Sequence, residues 1–263
     1  MQADITFLQE MALVSRKTLL EIVSQSKAAH LGSSLSAIEI FLTCQYVSRP
    51  GDKIVVSKGH AAAGFYATMH ALGKIDKETI ETYGKNGTKL FGHITQNDEI
   101  GIEFSTGSLG HGLPYGIGVC LGWKLSGSKG RVFVVCSDGE MDEGTTWESA
   151  LLANHNNLEN LVLLVDRNGI QSLRATEETL KLEPLSKKWE AFGWDVAEVD
   201  GHDFEALVSE LEKDRGGPKI VIAKTVKGKG ISFMEGDNKW HYKPPNESEL
   251  SAALYELANK NEK

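Results

Sequence analysis

The sequence predicts one α/β domain, a parallel sheet flanked by helices on both faces. Three observations predict it. Short runs of Val, Ile and Leu alternate with segments of helical periodicity through the second half of the chain. The runs "VFVVC" (132–136) and "LVLLV" (161–165) are apolar at every position, so both faces of each strand are buried. Asp138 after the first run and Asn168 after the second lie thirty positions apart, the length that one strand–helix–strand unit takes up.

The elements follow in order. Leu8, Met11, Ala12, Leu19, Ile22 and Val23 recur near helical spacing, which predicts an amphipathic helix over 5–26. "HLGSSLS" breaks it, and "SAIEIFLTCQYV" resumes as helix. Residues 54–56 form a short strand that ends in the polar turn "SKGH", and "AAAGFYATMHALG" is a helix closed by Gly73. The stretch 74–104 has weak periodicity and predicts irregular structure with one short helix. After the loop "STGSLGHG" come helix 113–125, strand 131–136, helix 145–158 and strand 161–170. Helix 184–192, strand 194–200, helix 203–214 and strand 219–226 complete the pattern, and about 235–263 is a polar, flexible C-terminal extension. No linker divides residues 1–263, so a single domain is expected.

Composition narrows the function. The 263 residues are 41% hydrophobic and 24% charged, ordinary values for a globular protein with a sizeable core. A formal net charge of −8 and the absence of a basic run argue against nucleic acid as a partner. No stretch approaches eighteen consecutive apolar residues, which argues against a membrane span. Cys44, Cys120 and Cys136 are scattered and odd in number, so free thiols and a cytoplasmic location are expected, and the N-terminus lacks the pattern of a signal peptide.

The densest chemical signal is "CSDGEMDEGTTWE" (136–148), with five acidic side chains at the tip of a buried strand. Ligands of open parallel sheets sit beyond the carboxyl ends of the strands, where Asp138 and Asn168 can share one crevice. One charged and one neutral oxygen ligand suit Mg²⁺ or Ca²⁺, and magnesium fills its remaining positions with phosphate and water. Gly139 allows close backbone approach to a phosphate, and the helix beginning near Thr145 offers unpaired N–H groups. Asp-Gly and Asn-Gly are also common turns, so on residues alone the metal site and the plain turn both stand. Among eight histidines, His30 in a helix break and His60 at a strand end are as open to a chemical role as to a structural one, while His70, His155 and His202 read as helix or loop residues.

The segment "SDGEMDEGTTWESALLANHNNLENLVLLVDRNGIQ" resembles the thiamine diphosphate fingerprint, with Ser137 in place of its first glycine. With "AAHLGSSLS", "SKGHAAAGFYA", "FGH", "STGSLGHG", "KTVKGKGISF" and "WHYKP" in the same order, nearly the whole chain resembles the N-terminal, diphosphate-binding domain of transketolase. The resemblance implies a thiamine diphosphate-binding fold of the diphosphate-binding type. It implies that Asp138, Asn168 and the carbonyl of Ile170 hold Mg²⁺, with Ca²⁺ or Mn²⁺ as alternatives. It places Ser33, His60, Gly107, Ser108, Leu109, Gly139, Glu143, Asn168, Lys227 and His241 against thiamine diphosphate, and His30, His93 and His241 against a ketose. Glu143 and Glu148 would approach a second cofactor-binding unit. His111 and Ile94 stand where the family more often carries Gln and Pro.

Transketolases draw the acid that activates the cofactor from a pyrimidine-binding domain, and no segment here matches it or the C-terminal domain. The resemblance therefore implies the N-terminal subunit of a split transketolase. It would assemble as α2β2 with a partner that supplies the pyrimidine-binding domain and its catalytic Glu, and transfer a two-carbon ketol unit from a ketose or ketose phosphate to an aldose. The rivals are a subunit of an acyloin or deoxyxylulose phosphate-type synthase and a non-catalytic cofactor-binding scaffold.

Overall fold

A computed structural model describes residues 3–172, 174–213 and 216–259. Five parallel strands form the main sheet: β1 (Lys53–Val56), β2 (Val132–Ser137), β3 (Leu161–Arg167), β6 (Asp195–Asp200) and β7 (Lys219–Lys224), in the spatial order β1-β2-β3-β7-β6. A two-residue antiparallel pair, β4 (Ile170–Gln171) and β5 (Arg174–Ala175), follows β3. The register sets Ser137 beside Asp166 and Arg167 beside Lys224, so β2, β3 and β7 end side by side.

Because side chains alternate across a strand, each central strand feeds two cores. Phe133, Val135, Val162, Leu164 and Val221 face one, covered by α1 (Ile5–Ser26), α3 (Ile38–Val47), α4 (Ala62–Ala71) and α10 (Phe204–Glu212). Val132, Val134, Leu161, Leu163 and Ile220 face the other, covered by α6 (Gly112–Ser126), α7 (Gly144–His155) and α9 (Leu185–Ala191). The parallel sheet with helices on both faces is the expected architecture.

Several boundaries differ from those read in the sequence. The break after α1 is short: Lys27 and His30 take left-handed backbone angles (φ 56° and 69°), and α2 (Leu31–Leu35) starts at once. The 74–104 stretch holds α5 (Lys77–Ile80) and a 3-10 turn over Asp98–Ile100. Strand β3 stops at Arg167, short of Ile170, and α8 (Thr176–Thr179) follows β5. Asp214, the expected end of α10, lies outside the described residues, and the helix is described to Glu212. The C-terminal extension is ordered: α11 (Glu247–Asn259) buries Ala253 and Leu257 in the same core as α1. Its polar composition hid a narrow apolar stripe, and residues 260–263 lie outside the described residues.

Candidate active site

Beyond the carboxyl ends of β1, β2 and β3 lies a cavity of about 230 Å³. Ten residues singled out in the sequence line it: His30, Ser33, His60, His93, Gly107, Leu109, Asp138, Gly139, Asn168 and Ile170, with His241 as an eleventh. Ser137, Gln171, Ser172 and Tyr242 complete the wall. A larger hollow of about 690 Å³ opens by the start of β1, but its Lys53 and Glu103 pair with each other and no motif residue faces it. Size does not select the site.

Four histidines from four segments converge here. The ring of His30 stands 5.6 Å from His60, 5.6 Å from His93 and 4.9 Å from His241. The His30 N–H donates to the His241 carbonyl (2.7 Å), which ties the break after α1 to the distant "WHYKP" segment. Burial, then the neighbouring His93 and Lys227, hold the His30 imidazole down at about 4. Burial and then Lys227 hold His241 at about 3, and burial pushes His60 well below its usual range. These three rings are neutral at neutral pH, each titrating well below the ordinary imidazole value near 6.5.

The metal ligands implied by the family share one wall. Asp138 Oδ2 accepts from the Gly169 N–H (2.7 Å) and from Arg167 Nη1 (3.3 Å). The Ile170 carbonyl accepts from Lys227 Nζ (3.3 Å). Asn168 donates its amide nitrogen to Asp166 Oδ2 (3.4 Å), which leaves Oδ1 as its accepting end. Burial and then the nearby Asp166 push the Asp138 carboxyl up to about 6 against the pull of Arg167 and Lys58, so the positive charge beside this buried carboxylate falls short of the cost of burying it. A divalent cation would supply that charge, and the carboxylate, amide and carbonyl oxygens are the hard donors that magnesium takes. The residues therefore fit the ion. Among the described residues no three His, Cys, Asp or Glu side chains form a metal-ligating group, so a metal here depends on mixed oxygen donors.

Two buried supports escaped the sequence reading. Lys58 pairs with Asp166, both side chains fully buried. Asp166 also accepts from Ser36 Oγ (2.6 Å) and Thr225 Oγ1, and Lys58 Nζ donates to the Ser33 carbonyl (3.0 Å). Glu140, also fully buried, accepts from Ser57 Oγ, the Gly110 N–H (3.1 Å) and the Ser137 N–H (2.8 Å). It binds the glycine-rich loop 105–112 to the ends of β1 and β2. The only sequence signal was charge inside an apolar context: a lysine and two acids at strand ends with no water to receive them.

The acidic cluster is thus dispersed. Asp138 faces the cavity, Glu140 is buried in hydrogen bonds, and Asp142 accepts from Gln171 Nε2 (2.9 Å). Glu143 and Glu148 are exposed on or before α7, and neither lines the cavity; Ser108 is exposed as well. Lys227 stands behind the wall, with Nζ 3.1 Å from His241 Nδ1. A 3-10 turn over Asp138–Asp142 separates β2 from α7, so the backbone nearest the cavity is that of Gly139 rather than the N-terminus expected near Thr145.

A parallel sheet whose strand tips gather an oxygen donor set, a buried lysine and neutral histidines defines an α/β protein with its ligand site beyond the strand ends. Residues 9–262 match the model of the transketolase thiamine diphosphate-binding domain. The chain is 38% identical to an apulose-4-phosphate transketolase subunit from Actinobacillus succinogenes, covering 95% of both chains. It is 35% identical to the 6-deoxy-6-sulfo-D-fructose transketolase subunit SqwG of a Clostridium species, covering 95% of this chain and 96% of the other. The crystal structure of Campylobacter jejuni transketolase superimposes with a TM-score of 0.88 at 28% identity over 97% of this chain. This chain spans 43% of that transketolase's length. The chain belongs to the transketolase thiamine diphosphate-binding family, and over nearly its whole length it corresponds to these transferase subunits.

Proposed function

We propose that the chain is the cofactor-binding subunit of a two-component transketolase that moves a two-carbon ketol unit from a ketose or ketose phosphate to an aldose. The observation that carries this reading is the convergence of His30, His60, His93 and His241 above Asp138 and Asn168 in one cavity. Asp138, Asn168 and the Ile170 carbonyl hold Mg²⁺. Ser33, His60, the backbone of Gly107–Leu109, Gly139 and Lys227 hold thiamine diphosphate, with Glu143 near the contact to a second unit. When bound, thiamine diphosphate supplies the electron sink for cleavage beside the ketose carbonyl.

His30, His93 and His241 bind the ketose hydroxyls. A neutral imidazole presents one donor and one acceptor, so His30 can receive a hydroxyl hydrogen bond on one nitrogen and give one from the other, whereas His241 can only give one. Lys227 donates to Nδ1 of His241, which leaves the His241 proton on Nε2. Three hydroxyl-reading rings favour a ketose over a simple 2-oxo acid, and so favour ketol transfer over the synthase reading.

The acid that activates the cofactor comes from a partner polypeptide carrying the pyrimidine-binding and C-terminal domains, in an α2β2 assembly. That both relatives are named as subunits supports this arrangement. The three free, buried cysteines support a cytoplasmic site of action. The test is reconstitution: highly purified chain shows no ketol transfer alone, and activity appears when the partner, Mg²⁺ and thiamine diphosphate are added. Transfer by the isolated chain overturns the split-enzyme reading; a mixture that consumes pyruvate and leaves ketoses untouched favours the synthase.

A further inference from the structure

We propose that a triad outside the cavity, the buried Arg16 and Glu39 with the half-buried His202, positions Lys227 by gripping the backbone on both sides of it; this rests on Lys227 as a diphosphate contact. Arg16 comes from α1, Glu39 from the first turn of α3, and His202 from the turn between β6 and α10. Arg16 Nη2 reaches Glu39 Oε1 at 2.5 Å, and His202 Nδ1 lies 3.2 Å from Glu39 Oε2. One carboxylate therefore joins a cation and a ring from three distant parts of the chain.

The far ends of the triad meet the same loop. The Val226 N–H donates to His202 Nε2 (2.9 Å), and Arg16 Nε donates to the Lys229 carbonyl (3.1 Å). Lys227 lies between the two anchors. A backbone N–H can only donate, so Nε2 must accept and the His202 proton sits on Nδ1, directed at Glu39. Burial alone would raise the Glu39 carboxyl, but Arg16 and the His202 hydrogen bond hold it down at about 2. It stays charged and keeps both partners in place.

The triad also explains the second glycine of "KGKG". A Cβ on Gly230 would come 2.6 Å from Arg16 Nε, and Gly230 has φ +101°. A Cβ on Gly228 would strike the Met234 carbonyl. At Gly230 the loop passes so close to the Arg16 anchor that a side chain is excluded, while at Gly228 its own Met234 excludes one. Apolar packing commonly stabilises as well as a buried ionic set does. A role in fixing the loop accounts for the charge.

Two readouts on the full chain test this. One is hydrogen exchange over residues 225–231 without ligand; the other is calorimetric titration with thiamine diphosphate in Mg²⁺. His202→Ala removes the Val226 anchor and should raise exchange in that segment alone. Its cofactor affinity should fall about tenfold, the size of one lost hydrogen bond, while Lys227→Met falls at least as far. His202→Gln offers an amide oxygen to the same N–H and should restore both readouts to within about threefold of the wild type. Unchanged exchange in His202→Ala, or exchange raised across the whole sheet, overturns the positioning role even where Lys227→Met weakens binding. If Lys227→Met binds normally, the reading of Lys227 itself fails, and the proposal with it.

Discussion

At the scale of single residues, His241 is the most consequential group, since it joins the rings that line the cavity to Lys227. Its pKa of about 3 has a signed effect on stability. The unfolded chain takes a proton on this ring near 6.5, whereas the folded chain refuses it down to about 3. Between those values the unfolded state binds more protons, so His241 makes stability fall as pH falls. Asp138 acts the other way between about 6 and its unfolded value near 3.8, because there the folded state holds the extra proton. The two partly cancel, so the comparison must isolate one. Acidified from pH 6.5 to 4, the wild type should lose unfolding free energy faster than His241→Gln, as read by urea denaturation at each pH. Parallel curves would contradict the assignment. None of this was visible in the sequence, where His241 sits in "NKWHYKPP", a stretch of ordinary loop composition. Only the family resemblance drew notice to it, because proximity to three other rings is a product of the fold.

At the scale of elements, the strands and long helices were legible because period carries them. The bounds of α1 agree at both ends, and β2 and β3 were unmistakable as uniformly apolar runs. What escaped were short pieces with no repeating pattern to mark them: α2, the 3-10 turn over Asp138–Asp142, and the β4–β5 pair. These short pieces carry much of the site, and tertiary hydrogen bonds rather than amphipathicity hold them. Glu140 shows how. Its carboxylate fastens the start of α6 to β1 through Ser57, whose Oγ accepts from the Gly112 N–H (3.0 Å). Gly112 has no space for a side chain, since a Cβ would overlap the side chain of Ser57. Gly112→Ala should therefore cost about 1–3 kcal/mol by overpacking, and disturb the 107–109 backbone on the cavity wall. Denaturant unfolding with an unchanged slope gives the stability, and a variant as stable as the wild type would show that the contact can relax freely.

At the scale of the whole molecule, the surface bears on assembly. The helices over the second core leave large apolar side chains in solvent: Leu125 on α6 is 90% exposed, and Leu151 on α7 is 60% exposed. Leu152 and Glu148 on α7, and Glu143 just before it, are exposed too. Single exposed leucines are common, but on α7 the exposed Glu148, Leu151 and Leu152 follow one another at i, i+3 and i+4 spacing, so the helix presents an outward patch that sets apolar side chains beside an acid. A second copy of the chain seated on that patch would bury the leucines and bring two cofactor cavities into one assembly. The patch is legible in the sequence only in part: "ESALLANH" reads as a helix, yet period alone does not reveal that both leucines face outward while Ala150 and Ala153 face the core. Replacing Leu151 and Leu152 together with Glu removes no core contact, so folding should be retained while self-association weakens. Sedimentation velocity across a concentration series should show the wild type as a dimer and the double variant shifted to monomer by at least about tenfold in dissociation constant, the equivalent of roughly 1.4 kcal/mol. A variant that dimerises as well as the wild type would place the self-contact on another face, and would separate the acidic residues of α7 from any role at the junction of two sites.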